Sequence, residues 1–249
     1  LPEDFGSEEY AIGFRPGDVA LAKEVQRILD EMYEDGTSEE ISNKWFGTNL
    51  IVDDRDFPKD AEVSADDTSL EDLKSRGKLV LGLDDSFPPM GFRDENNDIV
   101  GLDIDLAAEV CKRLGVELEV QPIDWDSKEM ELTSGKIDCI WNGMTVTDDR
   151  IEAMFLSKPY LDNRQVVIVE EGSKIESVSD LAGKTIGLQK GSSAREAFDA
   201  NPIASEVKEV VEYEDNVEAF LDLQAGRIDA LLVDEVAGNY IISTYGKED

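Results

Sequence analysis

Short apolar strand runs alternate with amphipathic helical runs along most of this chain, and that alternation leaves few architectures open. Residues 78–83 (KLVLGL) read as a buried strand, 102–114 as an amphipathic helix ended by Gly115, and 116–122 as the next strand. Residues 128–134 supply a turn or two of helix closed by Gly135, and 137–141 another strand. This β-α-β-α-β order belongs to a mostly parallel sheet flanked by helices. After Pro159 the theme restarts: strand 165–169, helix 178–181, strand 185–188, helix 193–199, strand 207–213, helix 216–225 closed by Gly226, strand 228–233. The expected fold class is α/β with two lobes of similar build. SGKIDCIWNG (134–143) and AGRIDALLVD (225–234) share a small residue, Gly, a basic residue, Ile and Asp before an apolar strand. The same passage from helix end to strand is predicted in both lobes.

The first 48 residues hold a strand candidate at 10–14, a long helix at 18–33 with Gly36 as its stop, and a shorter helix through Trp45. Residues 48–68 are acidic, aperiodic and contain Pro58, which reads as a linker or loose loop.

Composition removes whole classes of function. The 249 residues are 41% hydrophobic, enough for one large core or two modest ones. No run approaches the roughly 20 apolar residues that cross a bilayer. The start at Leu1 has no basic, apolar signal region and reads as a mature fragment. With 58 acidic against 24 basic residues the net charge is −34, the wrong sign for nucleic acid or an anionic membrane surface. Histidine is absent, which excludes imidazole catalysis and His-ligated metals. Cys111 and Cys139 match no metal or redox spacing and read as buried free thiols.

Several residues could carry chemistry. In TVTDDR (145–150) Thr147 can cap a helix, Asp148 and Asp149 suit its first turn, and Arg150 projects beside backbone N–H groups, a geometry that fits a carboxylate. A surface arginine in a capped turn is the bland alternative. GLQKGSS (187–193) follows a strand and opens a helix, exposing donors to an anion without P-loop spacing; an ordinary N-cap at Ser192 explains it equally simply. Asp234 ends a strand at the edge where ligands meet parallel sheets, and there it either takes an ammonium group or caps the helix beginning VAGNYI. Asp84 and Phe87 occupy the corresponding edge of the first lobe, while Phe87 and Trp125 are also ordinary core residues. No serine has a base partner, and the carboxylates are too numerous to single out an acid and base pair. The chain offers binding groups: an arginine for carboxylate, an aspartate for ammonium and aromatic walls, which is what a free amino acid needs.

These stretches resemble the polar amino-acid-binding family of periplasmic or lipid-anchored solute-binding proteins of ABC importers, the bacterial extracellular solute-binding family 3. The likeness runs through KLVLGLDDSFPPMGFRDENNDIVGLDIDLAAEVCKRLG, WDSKEMELTSGKIDCIWNGMTVTDDR, FLSKPYLDNRQVVIV, DLAGKTIGLQKGSSAREAF and LQAGRIDALLVDE. It implies a type II periplasmic binding protein fold. By this resemblance Arg150, helped by Thr145 and the Ser192 and Ser193 turn, takes the ligand's α-carboxylate. Asp234 and the Gly143 carbonyl take its α-ammonium, and Asp84, Phe87, Trp125, Asn142, Met144 and Gln189 complete the ligand-binding set. It further implies a monomer without metal or cofactor, whose lobes close on the amino acid about hinge strands near 10–14 and 163–169. A membrane permease recognises the closed form. Dehydratases of cyclohexadienyl acids and receptor sensory domains reuse the same fold and are the alternatives.

Family members begin near DDTSLEDLKSRGKLVLG and end with a segment like EEYAIGFRPGD through NKWFG, yet here that ending comes first. The resemblance therefore implies a circularly permuted order, with 48–68 joining the family's usual termini. One lobe becomes 10–163 and the other 164–249 plus 1–9. Such an order suits an engineered sensing module, with a naturally permuted or tandem protein as the alternative, and it expects Leu1 and Asp249 to lie close together.

The −34 charge predicts that melting temperature rises from low to molar NaCl, as screening shortens the Debye length from roughly 10 Å at 0.1 M. A flat or falling curve would show that the acids are compensated locally.

Overall fold

A computed structural model describes residues 1–246, so Asp249, and with it the expected closeness of the two ends, lies outside the described residues. In chain order the elements are β1 (Asp4–Phe14), α1 (Val19–Glu34), α2 (Thr37–Phe46), α3 (Ser69–Arg76), β2 (Lys78–Leu83), β3 (Ser86–Phe87), β4 (Gly91–Arg93), β5 (Ile99–Val100) and α4 (Leu102–Leu114). They continue with β6 (Glu117–Pro122), α5 (Lys128–Thr133), β7 (Cys139–Thr145), α6 (Asp148–Ala153), β8 (Phe155–Leu156) and β9 (Leu161–Ile168). Last come β10 (Thr185–Gln189), α7 (Ser193–Asp199), β11 (Glu209–Tyr213), α8 (Asn216–Gln224), β12 (Ala230–Asp234) and α9 (Glu235–Tyr245). The described chain divides into a larger unit, Glu9–Asp85 with Met90–Asp162, and a smaller one, Leu1–Glu8, Ser86–Pro89 and 163–246. No helix among the described residues is long and apolar enough to cross a membrane.

In the larger unit the strands run β1-β7-β2-β6. β2 is parallel to both β6 and β7, and β1 is antiparallel to β7 with Tyr10 opposite Thr145 and Phe14 opposite Cys139. Ala11, Val80, Leu132, Ile137, Ile140 and Met144 form a core against this sheet. In the smaller unit the order is β11-β10-β12-β9, with β10 parallel to β11 and β12 and only β9 antiparallel. Its core gathers Leu181, Ile186, Leu188, Phe198 and Leu232. Both are mostly parallel α/β sheets.

The two IDxxx passages are built alike. After α5 and α8, Gly135 (φ +78°) and Gly226 (φ +69°) take the left-handed turn that ends a helix. The N–H groups of Lys136 and Arg227 then reach back to the carbonyls of Glu131 and Asp222, and their side chains pair with those same acids. Ile137 and Ile228 pack where a side chain on Gly82 or Gly187 would otherwise stand, 2.5 Å from an added Cβ in each case. Finally Asp138 accepts a hydrogen bond from Val80 N–H and Asp229 one from Thr185 N–H, each at 2.8 Å. Because Ile137 and Asp138 make this joint, the strand expected at 137–141 begins only at Cys139 and runs on to Thr145.

Heptad-like spacing of Val19, Ala22, Val25, Leu29 and Met32 buries one face of α1, but its first turn is not capped by Asp18. Ala20 N–H instead donates to Asp67 Oδ2 at 2.7 Å, at the far end of the irregular 48–68 segment, and Leu21 N–H to Oγ of Ser69, the first residue of α3, at 3.2 Å. α3 lies outside the elements expected from the sequence: SLEDLKSR carries only two apolar residues, Leu70 and Leu73, and just Leu73 is buried. Cys111 and Cys139 are buried free thiols.

Gly101, before α4, has φ +146°, and an added Cβ would stand 2.2 Å from the Met90 carbonyl oxygen, a backbone atom that cannot step aside. Gly101→Ala is expected to lower the unfolding free energy by about 3 kcal/mol, read by chemical denaturation.

Candidate functional site

In the larger unit β2 and β7 pair in parallel, with Leu81 beside Cys139 and Gly82 beside Ile140, so β2 ends beside the middle of β7. Asp84, at the β2 end, donates its N–H to Asn142 Oδ1 at 3.0 Å. That bond fixes the Asn142 amide, whose buried Nδ2 has no hydrogen-bond partner among the described residues. Thr147 caps α6 by accepting Arg150 N–H at 3.3 Å, as its position in TVTDDR predicts. The Arg150 side chain is 6% exposed; its Nη1 donates to the Thr145 carbonyl at 2.7 Å and its guanidinium lies 6.0 Å from the Trp125 ring centre. Lys128 Nζ, 4.8 Å from that ring centre, was not foreseen. Burial first, and the Arg150 charge second, push the Lys128 ammonium down to about 8. Trp125 belongs to the core cluster and carries two cations on its ring.

In the smaller unit β9 alternates, so Asn163 and Gln165 share its buried face, and Gln165 sits opposite Asp234 of β12. Asp234 Oδ1 accepts from Asn163 Nδ2 at 2.6 Å and from Gln165 Nε2 at 3.0 Å. Gln165 Nε2 also lies 3.3 Å from Ser193 Oγ at the start of α7. Glu8 Oε2 accepts from the same two amide nitrogens, at 3.1 and 3.0 Å. Glu8, Asn163 and Gln165 escaped the sequence reading because nothing in FGSEEY or YLDNRQ marks them apart from other polar residues.

Four more residues of the expected ligand-binding set have the following surroundings. Met144 is fully buried in the core, its side chain filling the space over Gly13, since its neighbours in β7 take the other face. Gln189 spends its amide inside the smaller unit: Nε2 donates to Glu214 O at 2.9 Å and Oε1 accepts from Asn216 Nδ2 at 3.2 Å. Phe87 groups with the smaller unit, through Ser86–Pro89, and not with Asp84. Ser192 stays at the turn, but its hydroxyl donates to Gln189 O at 2.7 Å, closing the loop on itself.

Residues 79–222, more than half of the chain, match the family described as bacterial extracellular solute-binding proteins, family 3. The chain belongs to that family. It is 33% identical over 175 residues to the L-cystine-binding protein TcyJ of Escherichia coli K12, a match covering 70% of this chain and 65% of that relative's length. Among solved structures, a Streptococcus pneumoniae ABC uptake transporter substrate-binding protein with bound histidine superposes with a TM-score of 0.70 at 41% identity, covering 74% of this chain and 76% of that one. The arginine-bound, truncated ArgBP of T. maritima does so with a TM-score of 0.65 at 38% identity, covering 70% and 81%. This likeness gives the solute-binding family member its type II periplasmic binding protein fold.

One buried acid ties β7 of the larger unit to its scaffold. Asp103 of α4 accepts Gly143 N–H at 2.7 Å and the Tyr160 hydroxyl at 2.8 Å. Complete burial pushes its carboxyl up to about 7, against the pull of those two donors. With the folded pKa above the unfolded value of 3.8, the native state binds the extra proton between the two, so this group's contribution to stability falls as pH rises from about 4 to 7. The unfolding free energy of wild type minus that of Asp103→Asn should decline across that window, by no more than about 1.4 kcal/mol per pH unit, and level off above it.

Proposed function

We propose that this family member binds one free amino acid with a polar or cationic side chain, as the substrate-binding component of an amino-acid ABC importer. The observation that carries the reading is a division of charge: the larger unit holds a buried, oriented guanidinium at Arg150, and the smaller unit a buried carboxylate at Asp234 set among hydrogen-bonded amides. A guanidinium suits a carboxylate and a carboxylate suits an ammonium, the two charged ends of a zwitterion. Arg150 takes the α-carboxylate, with Thr145 and Lys128 beside it and Trp125 beneath. Asp234 takes the α-ammonium. Asp84 is the acid available to a cationic side chain, which fits relatives whose names give cystine, histidine and arginine as ligands. A membrane permease outside the cytoplasm is the partner that this role requires. The permuted order belongs to the same proposal; in its support, the family match starts at residue 79, behind the strand and two helices of 10–46.

Calorimetric titration against the twenty amino acids plus cystine and ornithine tests the reading. Binding of at least one polar or cationic amino acid is expected, and tight binding of glutamate or aspartate would overturn the assignment. Arg150→Ala and Asp234→Ala should each keep the fold and weaken that binding about a hundredfold or more, since removing one partner of a buried charge pair costs about 3–5 kcal/mol.

A further inference from the structure

Asp234 does not hold its amides alone. The Asn163 and Gln165 nitrogens each donate to two carboxylates, Asp234 Oδ1 and Glu8 Oε2, at 2.6 to 3.1 Å. Carboxylates only accept, so these bonds fix which end of each amide is nitrogen. The remaining polar atom of each amide is therefore its oxygen. Asn163 Oδ1 and Gln165 Oε1 are buried and have no donor among the described residues, on side chains 6% and 0% exposed. A buried acceptor left without a donor costs free energy, and here two occur beside two acids. The constellation of Glu8, Asn163, Gln165 and Asp234 thus presents acceptors and spends its amide donors internally.

We infer that Glu8 is a second, specificity-determining acid of the ammonium receptor, so that the smaller unit meets the ligand's α-ammonium with two carboxylates and two amide oxygens. This rests on the proposed amino-acid binding. A primary ammonium carries three N–H donors and a positive charge, which matches an acceptor set of that size and sign. A blocked, uncharged amide nitrogen carries one donor and no charge, so it offers the two acids no cation and cannot supply both amide oxygens with a donor. Glu8 therefore sharpens the choice of a free amino acid over an N-blocked one.

The test uses the full chain and four probes, L-cystine, L-histidine, L-arginine and L-glutamine, together with the Nα-acetyl form of whichever binds most tightly. Glu8→Gln keeps the shape and removes the charge; Glu8→Asp keeps the charge on a shorter arm. Calorimetry should show Glu8→Gln losing about tenfold or more for the free amino acid, less than twofold for its acetyl form, and little melting temperature. Glu8→Asp should stay closer to wild type than Glu8→Gln does. Equal affinity of Glu8→Gln and wild type for the free amino acid, with Asp234→Asn abolishing binding, overturns the role of Glu8 and leaves the proposed function standing. Parallel loss for free and acetylated forms overturns it too, as that is what a merely structural Glu8 would give. If wild type binds none of the four, the tightest binder among the twenty amino acids and ornithine takes their place, and if it binds none of these either, the proposed function itself fails, and this inference with it.

Discussion

An aspartate at the foot of a parallel strand, present once in each unit, sets the position of much that follows. Asp138 and Asp229 each hold a backbone N–H of the neighbouring strand, at Val80 and Thr185. Side chains alternate along a strand, so a slip of one residue would turn every one of them to the opposite face. Asp138 guards the register strongly: it is buried and also paired with Arg76 at 2.6 Å, so a slipped strand would strand a charge without its donors. Counting five residues on from each clamp reaches Gly143 in one unit and Asp234 in the other. The clamp and the candidate ligand groups are thus opposite ends of one short strand in both units, and the geometry of the site follows from the register at the far end.

Much of the scaffold was legible because its punctuation is local. Strand 78–83 and helices 102–114 and 193–199 have the expected limits, each set by an apolar period, a Gly stop or a Ser start nearby. The misses have physical causes of the opposite kind. β7 was cut short at Trp141 because its continuation, NGMT, looks like a turn by composition, whereas every one of its residues is buried beside β1. α9 surfaced only as the alternative in which Asp234 caps a helix, because the first candidate role for that acid was a ligand. Within the site, Arg150, Asp84 and Asp234 stand out by position at strand ends and helix starts. Met144 and Gln189 stood out for the same reason, but strand alternation turned one into the core and Glu214 with Asn216 engaged the other. Glu8 is one of 58 acids, and only long-range pairing with Asn163 and Gln165 sets it apart.

Charge works at two scales. The field of a molecule with net charge −34 enriches cations near the surface and depletes anions, which favours encounter with a cationic solute and slows an acidic one. Locally the balance reverses: Arg150 and Lys128 are buried together on Trp125, a positive site inside a negative protein. Long-range attraction acts on the whole of a solute, and a buried cation acts only on the group next to it.

The first turn of α1 takes its cap from Asp67 and Ser69, nearly fifty residues downstream, and so the irregular segment 48–68 is more than a tether. Covalent continuity gives those two residues a high effective concentration at the helix start. Cleavage within the exposed stretch around Ala61 to Ala65 would keep every residue and yet turn that cap into a contact between two fragments, held only by the rest of the unit. Fraying of α1 would then report on the integrity of a loop that touches neither β7 nor Arg150, which makes amide exchange at Ala20 and Leu21 a sensor of proteolytic nicking.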